Sequence, residues 1–565
     1  MRHLTPTHWT VEKLVQSFAN GEIAIPEIQR EYVWDDDQVK NLLDSIDNDY
    51  PCGSIILWEP GRSDAKLVRD LIKPERRKRY EDNKRTPKYF LLDGQQRITS
   101  LASILMNRER FREMLPDLEP EDLPSRLYGN LRRFPNEIMA MSDGQAMGRE
   151  NWMLLNDLFD PMQAGNPQIA ALKEDQKRKI YEYVQRIRNY QFAVEIIHER
   201  DYATVGKIFE RVNSSATQLE GAEIHLARIV PYWKGIAGKF REFCDQLAAR
   251  DYDLDITFLM RSITSVQCGV GKIEKLANKV TGTDKHGNKL VTERELDQSW
   301  TTAKKAIERV VKVLETELLL DKTKFIPSKN VLVPLVYYAA NDKSSSLSHK
   351  DIVRFFVFAQ LSGFYSESTE TRLTRTIKDL NGSNGTIREA LRDLVSAMRW
   401  EAKQEYPRLK IKPEDVCGSP GKNPLVLLMY ILMRQKDASD FLDGKVTLDL
   451  ISPKETHLHH IFPWDFMMKD KRALKMCEMN GFSRGEYREI VNDIANLTFL
   501  RQSTNSSIGK CEPAEYLKDI PADIRRTHFI PDDPAIWHPE RYEDFLEARR
   551  TLIADGINRF LRSLG

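Results

Sequence analysis

The chain has 565 residues, with 85 Lys plus Arg against 84 Asp plus Glu and a formal net charge of +1. One hydrophobic core does not organise that length, so roughly two to four domains of about 100 to 200 residues each are expected. The balanced charge excludes bulk attraction to a polyanion and leaves local patches as the route to nucleic acid, while an apolar content of 41% excludes global disorder.

Six cysteines (Cys52, Cys244, Cys268, Cys417, Cys477 and Cys511) are scattered with no C-x-x-C pair. That argues against a disulfide framework or a zinc ribbon and fits a reducing, cytoplasmic setting. The N-terminal stretch has no apolar core, and no window approaches the ~18 apolar residues of a membrane span. A soluble protein without a membrane partner is expected.

In chain order, "IPEIQREYVW" (25 to 34) sets Gln29 and Arg30 beside aromatic Tyr32 and Trp34, a segment able to contact an anion and a base. Residues 35 to 50 place Val39, Leu42, Leu43 and Ile46 at helical spacing behind acidic capping residues, which predicts an amphipathic helix. "GSIILWEP" (53 to 60) and "KYFLLDG" (88 to 94) read as short buried strands. Between them, residues 73 to 88 carry eight basic and three acidic side chains and read as a mobile loop.

"YFLLDGQQRITSLASILMN" reads as a strand ending at Asp93, a turn at Gly94, and a helix from about Gln95 with Ile98, Leu101, Ala102 and Leu105 on its inner face. A glycine turn feeding a helix start presents backbone N–H groups and partial positive charge, which suits a phosphate, and Arg97 adds a two-pronged donor. The competing reading is a capped turn with Arg97 in an ordinary ion pair.

Long helical stretches follow, including 172 to 190 and 205 to 212, with a strand at "QFAVEII" (191 to 197) between them. From about 222 to 450 the pattern is nearly all helical, with breaks at 281 to 289, 341 to 350, 381 to 385 and 417 to 424. The final ~115 residues return to mixed patterning and are expected to form their own domain.

That last part contains "HLHHIFPWDF" (457 to 466), three of the chain's eleven histidines within four positions. Downstream, Ser483 and Glu486 form a capping-box pattern, "ANLTFL" (495 to 500) reads as a strand, and "STNSSIGK" opens a helix. The residues alone leave three readings: a catalytic cluster, a turn of satisfied imidazoles, or a zinc site of three histidines. The order His-His-Ile strand, inserted helix, Asn-Leu strand, then Asn at a helix start resembles the HNH, or ββα-metal, nucleases. The resemblance implies His460 as general base, His459 and Asn505 as ligands of one divalent ion, Mg²⁺ or Mn²⁺, and Asn496 as the catalytic-motif residue that holds the base loop in shape. His457 is left as a third ligand, a supporting partner or an exposed side chain.

The phrases "IPEIQREYVW", "LLDSI", "YPCGSIILW", "LLDGQQRITSL" and "IFERVNSSATQL", in this order, look like the ParB/sulfiredoxin-like head of the GmrSD-type modification-dependent restriction endonucleases and their relatives BrxU and SspE. The resemblance implies a nucleoside triphosphate site at Asp93, Gly94, Gln95, Gln96 and Arg97 with Gln29 and Arg30 nearby, and NTPase activity in addition to nuclease activity. It divides the chain into a ParB/sulfiredoxin-like sensing domain with a helical extension (1–221), a helical linker domain (222–450) and an HNH-like nuclease domain (451–565), mainly α with α+β ends. The implied function is nucleotide-regulated cleavage of modified double-stranded phage DNA in anti-phage defence, with a homodimer compatible with a single-strand-cutting site. The alternative is a nucleotide-binding, DNA-binding regulator that breaks no phosphodiester. A nuclease acting on RNA or on unmodified host DNA is a third reading.

Overall fold

The computed structural model describes residues 4–26, 32–60, 86–106, 108–116, 126–141, 143–146, 149–159, 166–199, 204–205, 208, 221–342, 348–365, 369–382, 386–405, 410–421 and 423–564. Gln29, Arg30, most of the basic 73–88 stretch and nearly all of 205–219 lie outside these residues. The chain divides into two compact units, Met1–Phe240 and Arg241–Gly565.

The first unit is built on a five-stranded sheet. Its strands are β1 (Leu4–Thr10), β2 (Ile23–Ala24), β3 (Ile55–Trp58), β4 (Tyr89–Asp93) and β8 (Gln191–Ile197), in the spatial order β1-β8-β3-β4-β2. The β2/β4 and β3/β8 pairs are parallel, and β1/β8 and β3/β4 antiparallel. A smaller three-stranded sheet of β5 (Leu127–Asn130), β6 (Ile138–Ala140) and β7 (Trp152–Leu154) is inserted between β4 and β8.

Helices Val11–Ala19, Asp36–Asp47, Gln95–Leu105 and Glu174–Asn189 contribute Leu14, Leu43, Ile98 and Ile187 to one core with Leu57, Leu91 and Val194 of the sheet. The helix at Asp36–Asp47 starts where its acidic residues predict, with Asp35 and Gln38 closing a reciprocal capping box and Val39, Leu42, Leu43 and Ile46 buried. β1 has no sequence signal, because "LTPTHWT" lacks alternation and contains Pro6. An edge position, paired only with β8, lets a proline sit in a strand.

The second unit opens with a helical array that includes Ile256–Cys268, Glu293–Glu317, Leu332–Asn341, His349–Leu361 and Pro424–Arg434. It ends with β9 (Thr456–His460), β10 (Leu497–Arg501) and the long helix Tyr542–Leu564. The sequence boundary at 450/451 falls inside this unit, and polar contacts cross it. The Lys322 ammonium donates to the Ile451 carbonyl, Lys324 to those of Pro453 (2.7 Å) and Thr456 (2.8 Å), and Asn558 exchanges two hydrogen bonds with the Ile411 backbone.

Candidate active site

β9 and β10 form an antiparallel pair in which His460 faces Leu497, His459 faces Thr498 and His457 faces Leu500. The 36-residue-scale connection between them holds helices Lys471–Met479 and Arg484–Val491. Helix Gln502–Ile508 follows β10 without a loop and packs on both strands, so the order is strand, strand, helix. Its start is pinned by buried Asp440, whose carboxylate accepts from the Arg501 N–H at 3.0 Å and the Thr504 hydroxyl at 2.5 Å.

His459, His460 and Asn505 line one cavity of about 310 Å³, together with Trp464, Asp465 and Lys510. Alternation along a strand would send neighbouring side chains to opposite faces. His460 is the last residue of β9, and the chain turns there toward Pro463, so both rings reach the same space. Asn496 makes that turn rigid. Fully buried, it accepts from the Phe462 N–H at 2.8 Å and donates to the carbonyls of Phe462 (3.1 Å) and Val491 (2.9 Å), while its own carbonyl accepts from Ile461 N–H at 2.8 Å. It does not line the cavity. His457 stands apart from the cavity lining as well.

Burial holds the His459 imidazole down to about 4, against a smaller opposing effect of its bond to Asn505, so it is neutral at pH 7, the form that ligates metals. Its Nδ1 lies 2.7 Å from Asn505 Oδ1 and its Nε2 3.4 Å from Tyr516 Oη. The Tyr516 hydroxyl donates to the Ile461 carbonyl at 2.7 Å, and Asn505 Oδ1 only accepts, so His459 carries its hydrogen on Nδ1 and donates it to Asn505. A divalent cation would take the place of that hydrogen between Nδ1 and Oδ1, with the proton on Nε2 facing Tyr516 Oη instead. Among the described residues, no group of three or more His, Cys, Asp or Glu side chains is spaced to hold a metal, so a zinc site of three histidines does not fit.

Burial also lowers the His460 imidazole below its ordinary value, opposed by a hydrogen bond to Asn492. Tyr516 and Asn492, which bond to the two histidines, and Asp465 and Lys510, which line the cavity, carry no sequence signal, since each comes from a separate turn or helix end. Lys510 pairs with Asp465 at 3.3 Å, and Lys469 with the same carboxylate at 3.4 Å.

In the first unit, Gly94 adopts φ +93° and begins helix Gln95–Leu105 with no side chain capping it. Asp93 folds back to accept from the Gly94 N–H at 2.7 Å, and Gln95 and Gln96 are buried. Arg97 is turned inward: its guanidinium donates to the carbonyls of Cys52 and Ser54 (2.9 Å for the latter) and lies 3.4 Å from Asp93. The sequence-predicted donor to phosphate thus serves as a clamp on loop 52–54. The segment after residue 31 lies against the same helix, with Val33 N–H donating to Gln96 Oε1 at 3.0 Å and Tyr32 Oη 2.8 Å from Ser100 Oγ.

Comparison with protein families matches residues 11–230 to the model described as GmrSD restriction endonuclease, N-terminal domain. Over residues 11–230 the chain is similar to the GmrSD N-terminal domain. Restriction endonuclease is the activity that family is named for, and DNA is what such enzymes cleave. The GmrSD match spans the five-stranded sheet and Asp93–Arg97, and it stops before the second unit. Similarity continues further in a relative: uncharacterized protein MJ0686 of Methanocaldococcus jannaschii is 20% identical over 553 residues, covering 93% of this chain and 88% of that protein. Among the described residues, no helix is long and apolar enough to cross a membrane.

Proposed function

We propose that this protein is a modification-dependent DNA endonuclease of anti-phage defence, with the GmrSD-type domain sensing modified DNA under nucleoside triphosphate control and the β9-β10-helix element cutting or nicking it in the manner of an HNH nuclease. The observation that carries the reading is one cavity shared by His459, His460 and Asn505 on a strand-strand-helix frame whose turn is locked by Asn496.

His459 and Asn505 would hold a divalent cation, and an imidazole beside an amide oxygen favours Mn²⁺ over Mg²⁺. When bound, the cation supplies neutralisation of charge on the phosphoryl group and the departing 3′ oxygen. The chain's own contribution is the rest. His460, neutral at pH 7, takes the proton from the attacking water; Asn496 keeps its turn from shifting; Lys510, on the cavity wall, attracts the phosphate and exchanges Asp465 for it. In the first unit, the uncapped start of helix Gln95–Leu105 is where a nucleotide phosphate would lie, with Asp93, Gly94, Gln95 and Gln96 around it. Two such sites on separate units are what a nucleotide-switched nuclease requires, and a second copy of the chain would provide for cutting the opposite strand.

The test is cleavage of phage DNAs bearing sugar, methyl or sulfur modifications, with Mn²⁺ or Mg²⁺ and with each nucleoside triphosphate added or omitted. His460→Ala is expected to lose roughly 100-fold or more of the nicking rate. Salt-dependent DNA binding with intact supercoiled plasmid under every condition would point instead to the non-cleaving regulator.

A further inference from the structure

The turn between helix Arg484–Val491 and β10 brings a side chain to His460 that no motif contains. Asn492 ends that helix, and its Oδ1 lies 3.1 Å from His460 Nε2. Among the described residues this is the only hydrogen bond of the Asn492 side chain. Its backbone N–H bonds to the carbonyls of Arg488 and Ile490, so the helix end is secured independently of the amide group.

The next residue makes the position of that amide oxygen firm. Asp493 is buried, caps the short turn Ile494–Asn496 through Ala495 N–H at 2.8 Å, accepts from Gly418 N–H at 2.9 Å and pairs with Arg550 at 3.2 Å. Gly418 in turn accepts from Ile494 N–H at 3.0 Å. An amide oxygen only accepts, so the imidazole nitrogen facing it carries the hydrogen. The Trp464 ring, with its centroid 6.0 Å from that of His460, bounds the imidazole further along the cavity wall.

We infer that Asn492 is a positioning residue for cleavage: by accepting from Nε2–H of His460 it selects the tautomer with the lone pair on Nδ1 and holds the ring in the orientation for proton abstraction. The inference rests on the nuclease reading of the same cavity. Chemically, an imidazole can remove a proton from water only through the nitrogen that lacks one, so a ring free to exchange tautomers is competent for part of the time. Asn492 removes that loss from outside the cavity lining.

Full-length protein labelled with ¹⁵N-histidine tests the first half directly. With His460 signals identified by their loss in His460→Gln, the wild type is expected to show Nε2 protonated and Nδ1 unprotonated, and Asn492→Ala to show a mixture. Nicking kinetics on cleavable phage DNA with Mn²⁺ test the second half. Asn492→Ala is expected to lower kcat roughly 10- to 100-fold with KM changed by less than about twofold, and Asn492→Asp, which keeps an acceptor oxygen, to recover most of the loss. Protonated Nδ1 in the wild type, wild-type kcat in Asn492→Ala, or Asn492→Asp as impaired as Asn492→Ala would each overturn the assignment. His460→Ala run alongside separates the two levels. If that variant nicks at full rate the nuclease reading itself falls, whereas an inactive His460→Ala beside a fully active Asn492→Ala removes the Asn492 role alone.

Discussion

Arg97 shows how one side chain fixes a loop that a motif cannot describe. Its guanidinium grips the backbone carbonyls of residues 52 and 54, and Gly53 is required beneath it: at φ +77°, a Cβ there would lie 2.3 Å from Arg97 Nη1. Arg97→Ala is therefore expected to destabilise the first unit by about 2 to 4 kcal/mol, from lost charge-assisted bonds and two carbonyls left without their donor. Thermal unfolding reads this out. An unchanged midpoint, together with lost nucleotide affinity, would mean that Arg97 faces the phosphate after all. The sequence makes Gly94 and the following helix legible because a strand, a glycine and an apolar periodicity are contiguous. The partner carbonyls lie 43 to 45 residues upstream, at a distance no spacing rule spans. The same contrast holds at the cavity. His459, His460, Asn496 and Asn505 form a recognisable order along the chain, whereas Asn492 and Tyr516 meet the histidines from 32 and 57 residues away and match no pattern.

At the scale of elements, what keeps β9, β10 and the following helix in register is a buried arginine on another element. Arg549 belongs to helix Tyr542–Leu564, is fully buried, and donates to the carbonyls of Ala495 (2.6 Å), Leu497 (2.7 Å) and His528 (3.1 Å). Two of those carbonyls flank Asn496. Replacing Arg549 by Met fills the volume but leaves three buried acceptors unmet, and a loss of about 3 to 5 kcal/mol is expected. Urea unfolding checks it, and the same variant is expected to slow nicking, since the turn after His460 depends on Asn496. A stability loss below about 1 kcal/mol would mean that water reaches those carbonyls. The elements themselves were largely readable: β8 spans Gln191–Ile197, the segment its composition marks, and the helix at Asp36–Asp47 starts at its acidic cap. What composition hides is the interior polar partner, because an arginine on an amphipathic helix looks like a surface residue until its neighbours are known.

For the whole molecule, acid sets the sharpest limit on the second unit, and His528 governs its first stage. This ring is fully buried; its Nε2–H donates to the Ser439 carbonyl at 2.8 Å, and its Nδ1 accepts from the Thr498 hydroxyl at 2.7 Å. Both bonds are made by the neutral ring. Burial, reinforced by Arg549 and His459 and opposed by the Ser439 bond and Asp440, brings its pKa from 6.5 down to about 3. The folded value is depressed, so between about 6.5 and about 3 the unfolded chain binds the proton more readily. Stability from this group is complete above pH 6.5 and declines as pH falls through that window. Carboxylates add a later stage. Burial pushes Asp351 up, but its bonds to Arg392 and Ser348 outweigh that and hold it below its ordinary value of 3.8, so its contribution is lost only in stronger acid. Thermal unfolding of the metal-free protein from pH 7 to 4.5 is therefore expected to show a falling midpoint in the wild type. His528→Gln, which can still donate to Ser439 and accept from Thr498, should show a shallower fall, with buried His459 supplying what remains. Parallel curves for the two proteins would mean that His528 is hydrated in solution and that the core beneath β10 is open to water.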